Sequence, residues 1–188
     1  MILAALLLAV GQAVVGGGVG AVPPATAPAQ TQAAPSLKPV RSTLAFDTFK
    51  AVCWAAFRDP ALFDVAVAGS PMPLTRGPAG GAGGDSYTSD RAILTYVASD
   101  TLPANVPSRQ CRLRVALGGS ADQLTLAAGL ATALALPPGS TRSGPAHSRT
   151  TWDVPEPDGR ITRVILATQA ASGGQTGLTL SALLLSPR

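Results

Sequence analysis

Gln110-Cys111-Arg112-Leu113-Arg114-Val115-Ala116-Leu117 alternates between apolar positions (Cys111, Leu113, Val115, Leu117) and positions holding arginines (Arg112, Arg114). Successive side chains of a strand point to opposite faces, so this period of two predicts a strand with one face in a core and the other in water. Near the C-terminus, Gly177-Leu178-Thr179-Leu180-Ser181-Ala182-Leu183-Leu184 has a similar pattern, with Thr179 and Ser181 where Arg112 and Arg114 stand in the first stretch. One covered and one open face suits an antiparallel sheet with helices packed on one side.

The match between these stretches extends upstream. Thr75-Arg76-Gly77-Pro78-Ala79 corresponds to Thr141-Arg142-Ser143-Gly144-Pro145-Ala146. Ser86-Tyr87-Thr88 corresponds to Thr151-Trp152-Asp153, and Asp90–Thr95 to Asp158–Val164. Each series follows a helical pattern, so the expected fold is α+β, an internal duplication of a helix-plus-three-strands unit with repeats at 42–119 and 120–188. In the first repeat, Ser42 or Thr43 can cap a helix whose apolar face carries Phe46, Phe49, Cys53, Ala56 and Phe57. Asp59-Pro60 reads as N-cap plus first-turn proline of a second helix, which Gly69-Ser70-Pro71 ends. Strands are expected near 72–76, 86–98 and 109–118. In the second repeat, Ser120-Ala121-Asp122-Gln123 reads as a capping box opening a helix over 121–136. Strands near 149–154, 160–169 and 177–186 complete it, with a hairpin turn at Asp158-Gly159.

Residues 1–22 carry no charged side chain, and Ile2–Val10 is a compact apolar run. Followed by small residues, this predicts a secretory signal peptide over 1–29, cleaved after Ala27-Pro28-Ala29 to leave Gln30. An uncleaved membrane anchor is the alternative. Residues 30–41 then form a flexible Pro/Ala-rich tether. The predicted location is the periplasm or the extracellular space. In such a compartment two cysteines favour a disulfide, and both Cys53 and Cys111 are expected to face the helix–sheet core. A buried reduced pair, or a reactive thiol at Cys53, is the alternative.

The 188 residues are 46% apolar and only 13% charged, which excludes an intrinsically disordered chain. Several chemistries lack their residues. The only histidine is His147, the only glutamate Glu156, and no serine lies in a G-x-S-x-G elbow. No metal site and no cofactor are therefore expected. Gly80-Gly81-Ala82-Gly83-Gly84 lacks the Lys-Ser/Thr and the helix of a phosphate loop. Fourteen basic residues against ten acidic give a net charge of +4, and twelve of the fourteen are arginine. They are dispersed and aromatics are few, so nucleic acid is not an expected partner.

The expected binding surface is the open sheet face carrying Arg109, Arg112, Arg114, Thr179 and Ser181. The expected function is that of a small non-enzymatic, inhibitor-like binding protein with an envelope or secreted protein as partner. A small hydrolase or ligand-binding enzyme with a site between the repeats is one alternative, and a structural envelope protein anchored by its N-terminus is another. Membrane contact is expected only if the N-terminal segment stays uncleaved. The tandem helix-plus-sheet layout resembles in outline the secreted β-lactamase-inhibitor proteins, in which a concave sheet grips an enzyme. The resemblance implies a sheet-mediated grip on a partner and carries no residue over.

Overall fold

The computed structural model describes residues 36–57, 59–78, 84–99, 106–144 and 147–186. The expected signal peptide and cleavage site lie outside the described residues, as do most of the expected tether and Gly80–Gly83. The chain proceeds through α1 (Ser42–Thr48), a π-helical segment (Phe49–Trp54) and α2 (Pro60–Ala68). Strands β1 (Thr75–Arg76), β2 (Asp85–Thr88), β3 (Ala92–Ala98) and β4 (Arg109–Leu117) follow. Then come α3 (Gln123–Leu134), β5 (Ser140–Ser143), β6 (His147–Pro155), β7 (Ile161–Ala170) and β8 (Thr176–Leu185). The strands form one antiparallel sheet in the order β1-β2-β3-β4-β8-β7-β6-β5, so β4 and β8 lie side by side at its centre.

The fold is α+β with helices over one sheet face. That face presents Leu94, Cys111, Leu113, Val164, Leu166, Leu180 and Ala182, all fully buried. Phe49, Val52, Cys53 and Phe57 from the helical hairpin and Leu130 from α3 close over them. The Cys53–Cys111 disulfide joins the two layers, with its Cα atoms 5.4 Å apart. Both cysteines are wholly buried, so a reactive thiol at Cys53 is not present.

Several boundaries differ from expectation, each for a local reason. Each half contributes four strands rather than three, preceded by α1, the π-helical segment and α2 in the first half and by α3 alone in the second. The predicted strand 86–98 is a hairpin, turned at Ser89, whose hydroxyl accepts the backbone N–H groups of Arg91 and Ala92 at 3.2 and 3.1 Å. The additional strand β5, Ser-Thr-Arg-Ser, is exposed throughout and has no apolar alternation to betray it. This shared layout does not by itself establish a duplication. Helix α1 has Arg41 at its N-cap and no side-chain cap, because Ser42 is already inside the helix. For α3 the cap is Asp122, which accepts the Thr125 N–H at 2.7 Å, rather than Ser120.

Gln123, expected to close the box, turns into the core. Its Nε2 donates to Thr150 Oγ1 at 2.9 Å, and its Oε1 accepts from Thr168 Oγ1 at 2.7 Å. This polar cluster ties the start of α3 to β6 and β7. Asp59 caps α2 as expected, accepting the Ala61 N–H. The β6–β7 turn uses Gly159 at φ +81°, a conformation that disfavours side chains with a Cβ. The tether ends sooner than expected. The Lys38 N–H donates to Asp90 O, and Val40 forms a parallel bridge to Leu117.

Candidate functional site

The sheet face opposite the helices carries no element over it among the described residues. Directly paired residues share a face, so the register converts into rows of neighbours across this surface. One row runs Thr95–Arg112–Ser181–Ile165–Thr151–Ser140. The next runs Ile93–Arg114–Thr179–Ala167–Arg149–Arg142. Four of the five residues expected at the site thus form a block at the sheet centre, with Arg112 opposite Ser181 and Arg114 opposite Thr179. Both guanidiniums are exposed, whereas Ser181 is buried beneath its neighbours.

Arg109 does not join them. It pairs with Leu184, a core residue, so its position belongs to the helix-side face at the sheet's end. Its odd-numbered step with Cys111 and Leu113 carried that information, since alternation places all three on one side.

Sequence reasoning missed the other basic residues of the face. Arg142 and Arg149 lie opposite one another on β5 and β6, and Arg163 on β7 lies opposite Asp153 on β6. The Arg163 guanidinium donates to both Asp153 oxygens at 2.7 Å, a two-pronged bond that favours its charged form. The open face therefore holds five guanidiniums (Arg112, Arg114, Arg142, Arg149, Arg163) against one carboxylate among the described residues. Half-buried Ile93, Val97, Ile165 and Leu183 lie between them.

A second polar cluster, at the β2 edge, is structural in its contacts. The Tyr87 hydroxyl donates to Asp64 Oδ1 at 2.6 Å, fastening α2 to the sheet, and Arg76 pairs with Asp85. Burial, reinforced by Asp64, pushes the Tyr87 hydroxyl well above its ordinary pKa, so it stays protonated. His147 opens β6 opposite Gln169, two residues before the strand expected from 149. Among the described residues, no group of three or more His, Cys, Asp or Glu is placed to hold a metal ion. No described helix is long and apolar enough to cross a membrane.

Comparison with protein-family models, with curated proteins and with solved structures found no match to this chain.

Proposed function

We propose that this protein is an exported, non-enzymatic binding module that docks an acidic protein surface onto its open sheet face. The observation that carries this reading is the charge of that face, five guanidiniums to one carboxylate, interleaved with half-buried apolar side chains. Arginine beside apolar contact area is the composition enriched at protein interfaces, and a face of one sign steers an oppositely charged partner during encounter. Arg112 and Arg114 at the sheet centre, with Thr179 and Ser181 beside them, are the proposed middle of the contact.

Export is part of the proposal. The buried Cys53–Cys111 disulfide suits an oxidising compartment. The apolar N-terminal run supplies the route, with removal of residues 1–29 and a mature start at Gln30 in the periplasm or outside the cell. The hydrolase alternative has less support. Its site was expected between the halves, where β4 pairs with β8 along its whole nine-residue length over a continuous core.

The test is site-specific photocrosslinking in the producing cell. A crosslinker at Thr179 is expected to capture a discrete acidic partner, and the combined Arg112→Glu and Arg114→Glu substitutions are expected to abolish that adduct. The same probe at Leu124, which is exposed on α3 on the opposite side, is expected to give none. Equal adducts from both positions, or adducts indifferent to the charge reversal, would refute the docking surface. N-terminal sequencing of the same material checks the export step.

A further inference from the structure

At the β5 edge of the open face, Ser140, Arg142, Arg149, Thr151, Asp153 and Arg163 line a concavity of about 430 Å³. Along β6 the positions 149, 151 and 153 succeed one another on this face at about 6.8 Å intervals. Arg142 joins Arg149 from the neighbouring strand, Ser140 joins Thr151, and Arg163 joins Asp153 from the other side. The hydroxyl pair therefore lies between two guanidiniums at one end and a third at the other.

The charges in this hollow do not balance internally. Asp153 is engaged by both prongs of Arg163. Arg142 and Arg149 have no carboxylate partner among the described residues. Their Cα atoms are directly paired across adjacent strands, about 5 Å apart, where like charges repel. A bound anion would convert that repulsion into attraction and would be met by donors already assembled.

The donor set indicates which anion. A single guanidinium fork satisfies the two oxygens of a carboxylate. Two guanidiniums from directly paired positions, with Ser140 and Thr151 lining the same hollow, instead match a group with three or four oxygens and a double charge. We infer that this hollow is a binding site for a tetrahedral oxyanion, the phosphate or sulfate group of a monoester. The site lies two strands or more from Arg112 and Arg114, and it stands whether or not those residues dock a protein. Asp153 disfavours any anion placed against it, so the group sits toward the Arg142–Arg149 end.

The test is titration of the isotope-labelled chain with inorganic phosphate, inorganic sulfate or acetate, at pH 8 and constant ionic strength of about 0.15 M, so that general screening is held fixed. Backbone amide shifts are followed by NMR. Saturable shifts confined to 140–143 and 149–153 are expected with phosphate or sulfate, and acetate is expected to bind about 10-fold more weakly or worse. The tighter of the two oxyanions identifies the source of the group, and equal binding still supports the site. Arg142→Gln and Arg149→Gln are each expected to weaken binding about 10-fold. Arg91→Gln, an exposed arginine in the β2–β3 turn outside the hollow, is expected to leave it unchanged. Shifts of equal size for acetate, or shifts untouched by Arg142→Gln and Arg149→Gln, would overturn the assignment. Loss of crosslinking at Thr179 would bear only on the docking surface, so the two readings fail separately.

Discussion

Reducing the Cys53–Cys111 bond is the most informative perturbation of this fold. The bridge joins residues 58 apart in sequence and fastens the helical hairpin to the central strand β4. In the chain-entropy description, closing a loop of that length removes about 14 cal/mol/K from the unfolded ensemble, or about 4 kcal/mol at 25 °C. For a domain of this size, a loss of 4 kcal/mol lowers the melting temperature by about 8–16 °C. With a urea m value of about 2 kcal/mol/M, the midpoint falls by about 2 M. The assay is equilibrium urea unfolding of the oxidised protein, of the fully reduced protein kept in a non-thiol reductant, and of the double variant Cys53→Ala with Cys111→Ala. The reduced protein retains both sulfur atoms in the core and isolates the loop effect, whereas the alanine pair adds the cavities left by lost sulfur. Because both cysteines are wholly buried, reduction under native conditions is expected to be slow and to accelerate as urea opens the domain. A reduced protein whose midpoint lies within about 0.3 M of the oxidised one, a shift far below the 2 M expected from the loop entropy, would refute the reasoning. It would mean that the unfolded 53–111 segment is already constrained without the bond.

Three further outcomes are expected. Gln123→Ala leaves the Thr150 and Thr168 hydroxyls without one partner each, and urea unfolding is expected to show a loss of about 2–3 kcal/mol. A double-mutant cycle with Thr168→Val should then show coupling of about 0.5 kcal/mol or more, because the two side chains share one bond. The Asp122 carboxyl is held below its usual pKa, chiefly by the Thr125 backbone N–H. A depressed folded-state pKa gives stability that is present above the unfolded value near 3.9 and lost as pH falls through the folded one. Acid should therefore narrow the stability gap between the protein and Asp122→Ala, and a gap as wide at pH 2 as at pH 6 would contradict the cap. Gly139→Ala would place a Cβ 2.5 Å from Trp152 Nε1. Displacing this nearly fully buried indole should cost about 1–3 kcal/mol, read by urea unfolding together with a shift in tryptophan emission.

How much of the fold was legible follows from which signals are local. The alternation in 110–117 and 177–184 marked the two central strands and assigned Cys111 to the core, and the 3–4-residue helical spacing assigned Cys53 to it. The Asp59-Pro60 start of α2 and the Asp158-Gly159 turn were readable for the same reason, since each depends on a few adjacent backbone groups. Ser120 and Asp122 are both capping residue types two positions apart, and only the packing of Gln123 under β6 and β7 selects Asp122. The edge strand β5 was not visible at all. Four exposed polar residues have no periodicity, and they become a strand only because β6 offers an unpaired edge.

The candidate site divides along the same line. The sequence alone determined a one-sided antiparallel sheet with Cys111 turned into its core and Arg112 and Arg114 turned out of it, because a period of two is a property of consecutive residues, and the helical spacing of the first segment turned Cys53 to the same core. Only the tertiary structure decided that β4 lies beside β8, which sets Arg112 against Ser181 and Arg114 against Thr179. It likewise placed Arg142 against Arg149 and bound Arg163 to Asp153, giving the open face its charge. Strand order and register are set by non-local pairing and by which faces find a helix to cover them, and no stretch of chain records its distant neighbour.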